Sequence, residues 1–150
     1  SAGSSLAIEE VVADATGSAR GSVLVAMHHH LQPLPVAHHW PPGVPSREAA
    51  QFADRLDRAG RPTIVTSGHT HRHRARRYGR LWATEVGSVK DYPGVWAAYE
   101  AHPGGLRQTV HRVGAPDVLR WTDRTAKVAL GAWGRWSPGQ IDDRCLEVTL

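Results

Sequence analysis

Cysteine is nearly absent from this chain of 150 residues, where Cys145 stands alone. That excludes an internal disulfide framework and any zinc module built on several thiolates. Asparagine is missing altogether, and phenylalanine and methionine occur once each. Lysine is scarce too: Lys90 and Lys127 are the only two, so the net charge of +4 and the pI near 9.8 rest on arginine. No run approaches the roughly twenty apolar residues a membrane-spanning helix needs, so no membrane is expected and the expected location is the cytoplasm. The chain opens on Ser1 rather than methionine, which leads us to expect a processed start or one internal to a longer chain. With 41% hydrophobic and 21% charged residues, the composition suits one globular domain with a packed core.

Histidine is what the sequence has in excess. There are ten, and eight of them (His28, His29, His30, His38, His39, His69, His71 and His73) lie between residues 28 and 73. Their neighbours place them. Ser22 to Met27 is a short apolar run bounded by Gly21 and the histidines, the pattern of a strand buried on both faces. A loop with Pro33, Pro35, Pro41, Pro42 and Pro45 follows. Ser46 then suits a cap for a helix over 47–59, whose Ala49, Phe52, Ala53 and Leu56 share one face. Thr63 to Thr66 predicts a second buried strand, ending in Ser67-Gly68-His69-Thr70-His71. Strand, helix and strand in this order form a βαβ unit, which favours parallel pairing. Gly68 suits an exit where backbone approaches a site closely.

Flanking segments complete the expected frame. A helix is expected over 6–15 behind the cap Ser5. Past Arg74, strands are expected at 76–78, 81–86, 95–101 and 106–113, with His102-Pro103-Gly104-Gly105 as a hairpin turn. Residues 116–132 read as helix, with Pro116 in the first turn and Asp123 to Lys127 as an ion pair. A closing strand runs from Leu146 to Leu150, and Cys145 beside it is expected to be an inert core thiol. Trp121, Trp133 and Trp136 are expected to anchor the tail.

Both buried strands therefore end in histidine. Ligands of open α/β sheets bind beyond the carboxyl ends of the strands, so adjacent strands deliver His28, His69 and His71 to one place. Neutral imidazole ligates zinc, manganese and iron alike.

The blocks Val25-Ala26-Met27-His28-His29 and Ser67-Gly68-His69-Thr70-His71 resemble the last two signature blocks of the calcineurin-like metallophosphoesterases, and residues 6–113 carry the likeness. It implies an α/β fold, half of a four-layer α/β/β/α sandwich, with residues 1–113 as the C-terminal half of the catalytic domain. Residues 114–150 are then a helix-strand extension packing on that core. It also implies hydrolysis of phosphate mono- or diesters at two divalent ions (Mn, Fe or Zn). His28 would bind one ion, His69 would share it, His71 would bind the other, and His29 would touch substrate. The family's Asp-X-His, Gly-Asp-X-X-Asp and Gly-Asn-His blocks do not occur here. Two dications at such short range need a bridging anion, and three histidines bring none. The implied partner is thus the missing N-terminal half, as a separate chain or a cleaved segment, and this chain alone is expected to be inactive. Without that half, exposed apolar surface should drive association.

Two other readings compete. The run Arg72-His73-Arg74-Ala75-Arg76-Arg77 suits phosphate or nucleic acid, although alternation along a strand makes a solvated arginine face the simpler reading. A metal-binding module without hydrolysis is the third.

Overall fold

The computed structural model describes residues 10, 12–14, 16–17, 21–31 and 43–149. Of the helix expected over 6–15, residues 10 and 12–14 are helical, as are 16 and 17 past its expected end, and the rest lie outside the described residues. So do His38, His39 and four of the five loop prolines. The architecture is mixed α/β with two sheets.

Four strands make the first sheet: β1 (Val23–Met27), β2 (Thr63–Ser67), β3 (Arg74–Tyr78) and β4 (Leu81–Glu85), ordered β1-β2-β4-β3. β1 and β2 run parallel, as the βαβ reading requires. β4 inserts between β2 and β3, parallel to the former and antiparallel to the latter. Met27, Ser67 and Glu85 are thereby in register at the carboxyl ends of three parallel strands. The second sheet is antiparallel, with β5 (Val95–His102), β6 (Gly105–Arg112) and β7 (Cys145–Thr149) in order. His102 and Gly105 face each other across the expected hairpin turn.

Alternation along β2 explains the layering. Val65 joins Leu56 and Ala49 of α1 (Ser46–Arg58), with Leu81 and Ala83, in one core. Ile64, on the opposite face, joins Ala75, Leu106, Leu146 and Val148 between the two sheets. All five β2 residues are buried. β1 differs from expectation: it is an edge strand, with Leu24 43% exposed, because no strand covers its outer side among the described residues.

Other details also depart from the sequence reading. Pro45, not Ser46, is the cap residue of α1, and no side chain caps the helix. The tail helix is broken into α2 (Pro116–Thr125) and α3 (Ala132–Trp136). Ala129, Leu130 and Gly131 between them all have positive φ, and a right-handed helix cannot run through that conformation. Pro116 does stand in the first turn of α2. Lys127, however, lies past the end of α2, and Asp123 pairs with Arg112 of β6 instead. Cys145 is exposed rather than core, because β7 alternates and only Leu146 and Val148 turn inward. The tail also closes the β3 edge: His73 N–H donates to Ser137 O at 3.1 Å, and Ala75 N–H donates to Asp143 Oδ1 at 2.8 Å.

Candidate metal centre

β1 and β2 both run out into histidine, and their pairing continues one step past the strands, where Gly68 N–H donates to His28 O at 3.2 Å. That bond draws the two exits together. His28 Nε2 and His69 Nδ1 lie 3.3 Å apart. The His29 ring is 5.0 Å from that of His28 and 4.7 Å from that of His69. One ligand nitrogen from each of His28, His29 and His69 falls within 4.8 Å of the others, a spread that suits a single ion. His29, expected at the substrate, thus stands in the same cluster as the two expected ligands.

His71 is placed differently. Its Nδ1 is 2.8 Å from Asp91 Oδ2 in the loop after β4, and it is not part of the three-histidine group. A carboxylate on one ring nitrogen fixes the tautomer and leaves the other nitrogen as the ligand atom. His30 is buried and stacks on His69, with ring centroids 5.8 Å apart.

The backbone between the two β2 histidines is unusual. His69 has φ 67° and His71 φ 54°, a region that non-glycine residues avoid. Thr70 N–H donates back to Gly68 O at 2.8 Å, closing a γ-turn on His69. Strain of this kind persists only where the surroundings over-determine it. Gly68 itself has no positive φ, and a Cβ there would meet nothing within 4 Å. The tight exit is therefore made by the histidines' own backbone, not by the glycine.

Behind the turn lies a buried polar group that pattern reading missed. Thr70 Oγ1 donates to Glu85 Oε2 at 2.5 Å. Arg74 reaches Glu85 Oε1 through Nε at 2.8 Å and Nη2 at 2.7 Å. Thr70 and Glu85 are fully buried and Arg74 nearly so. Burial pushes the Glu85 carboxyl above its ordinary range, against the opposing pull of Thr70 and Arg74. Arg74 and Glu85 face each other across the β3–β4 ladder, an opposition legible only once that pairing is known.

The remaining arginines disperse. Arg72 lies over the Trp136 ring at 5.1 Å, and Arg76 and Arg77 are exposed. Trp121 is mostly exposed, its Nε1 donating to Lys90 O at 2.8 Å, so it fastens α2 to the loop after β4 rather than to a sheet face. No helix among the described residues is long and apolar enough to cross a membrane. Comparison with known proteins finds no matching family model, curated protein or solved structure.

Proposed function

We propose that this chain supplies the histidine half of a divalent-metal centre of the calcineurin-like metallophosphoesterase type. The reaction is hydrolysis of phosphate mono- or diesters. The observation that carries this reading is the convergence of His28, His29 and His69 at the carboxyl ends of two adjacent parallel strands. Their donor chemistry fits zinc, manganese or iron. His28, His29 and His69 would hold one ion, and His71, oriented by Asp91, would serve a second. When bound, the ions supply charge stabilisation to the phosphoryl oxygens.

The three-histidine group brings no carboxylate, and Glu85 is already committed to Arg74 and Thr70. Asp91 is engaged with His71, and a bridging acid from another segment, the Asp-bearing N-terminal half of the sandwich, would complete the centre. The β1 edge, unpaired among the described residues, and the exposed Leu24 on one face of that strand support a partner at this strand. The chain's own part is to fix three imidazoles at one place and to orient a fourth.

The nucleic-acid reading loses support from the burial of Arg74 and the cation–π seat of Arg72. Two exposed arginines from the basic run are too few for a phosphate-tracking surface. A metal module without hydrolysis shares the same histidines and differs only in turnover.

The test is metal uptake by the chelator-stripped chain, followed by phosphodiester hydrolysis when an Asp-bearing front half is supplied in trans. Uptake should fall at least about tenfold in His28→Ala and His69→Ala. Equal uptake by native chain and variants would sink the metal site. Uptake without turnover in the reconstituted pair would leave the non-catalytic module.

A further inference from the structure

We infer that Glu85 is a positioning residue for the candidate metal centre, acting through Thr70 to hold the strained backbone that separates His69 from His71. The inference rests on the reading that His28, His29 and His69 bind a metal ion.

Two of the three residues in His69-Thr70-His71 have positive φ, and neither is glycine. Such a segment relaxes unless something holds it. The γ-turn hydrogen bond within it is local, and a γ-turn of this φ sign is itself rare and strained. The flanking rings have partners of their own, His28 for His69 and Asp91 for His71, and the residue between them is anchored separately, to the sheet. Thr70 is fully buried, and its hydroxyl is bound to Glu85 at 2.5 Å. The carboxylate cannot swing, because its other oxygen takes two donors from Arg74. Glu85 is itself the last residue of β4, in register with Ser67 at the end of β2. The anchor therefore stands on the same three-strand edge from which the histidines emerge.

Energetics point the same way. A buried ion pair is weak support for stability, since apolar residues of similar volume often serve as well. A carboxylate at this site does something an apolar residue cannot: it accepts the Thr70 hydroxyl and so dictates where residues 69 and 71 sit. Outer groups that orient metal ligands matter to affinity nearly as much as some ligands do.

The experiment uses the full 150-residue chain, stripped with chelator and titrated with Co²⁺, reading affinity and the visible absorption band. Melting of the stripped protein is recorded alongside. Thr70→Val keeps shape but removes the donor, Thr70→Ser keeps the donor, and Thr70→Ala is a smaller second deletion. Co²⁺ affinity should drop about tenfold or more in Thr70→Val, with an altered band, while Thr70→Ser stays within about twofold of native. Native affinity and spectrum in Thr70→Val would overturn the inference, as would a Thr70→Ser variant as weak as Thr70→Val. Loss of fold in both Thr70→Val and Thr70→Ala would also overturn it, since the contact would then be a general prop. If the native chain and His69→Ala take up Co²⁺ alike, or neither does, the metal reading itself fails. If only Thr70→Val matches native while His69→Ala does not bind, the metal site stands and the role of Glu85 alone falls.

Discussion

His73 is fully buried, its Nδ1 accepting the Gly87 N–H at 3.2 Å, which requires a neutral ring. Burial, with Arg144 adding to it, lowers its pKa from 6.5 to about 4. The unfolded chain takes up a proton below pH 6.5 that the fold refuses until about pH 4. This contribution is therefore intact above pH 6.5, falls across that window and is gone below it, a total of about 3 kcal/mol. Urea unfolding of the chelator-stripped chain at pH 7 and pH 5 should show the loss, and His73→Asn should lack it. An equal loss in both would remove His73 as the cause. Of the site residues, His28 and His69 were legible in the sequence because one follows an apolar strand directly and the other follows a buried strand across Gly68. The partners Glu85 and Asp91 were not, being brought to Thr70 and His71 by chain separations of 15 and 20 residues.

α1 shows what periodicity reveals and what it leaves open. Ala49, Ala53 and Leu56 fall on one face and are buried, as their spacing predicts. Leu56 is fully enclosed between α1 and the first sheet. Leu56→Ala should cost about 2–5 kcal/mol, read as a lower urea midpoint with unchanged slope, and a cost under about 1 kcal/mol would mean that face is loosely filled. The strands expected at 76–78 and 81–86 were legible, and the structure has them as β3 and β4. Their place was not, because nothing in Leu81–Glu85 marks it for parallel pairing with β2. The break between α2 and α3 was hidden for a similar reason. Gly134 packs against the end of α2 so closely that a Cβ would lie 2.7 Å from Ala126 O, and sequence spacing carries no sign of that approach.

At the scale of the molecule, the tail is bound into the body through β7. Leu146 and Val148 fill the core between the sheets, while Asp143 and Ser137 satisfy amides of Ala75 and His73. Residues 1–113 alone should therefore not unfold cooperatively, and deleting 144–150 should cost at least about 4 kcal/mol. Calorimetry checks both. A sharp transition in the shorter chain would show that the second sheet is complete without β7.

Among the described residues, the first sheet is thus closed on one side by its own tail and unpaired on the other, at β1. A sheet with two bare sides can add neighbours without end, whereas one bare side admits a single neighbour. If two copies met through β1, each would take up the bare side that the other's described residues leave in that sheet, and growth along it would stop at a pair.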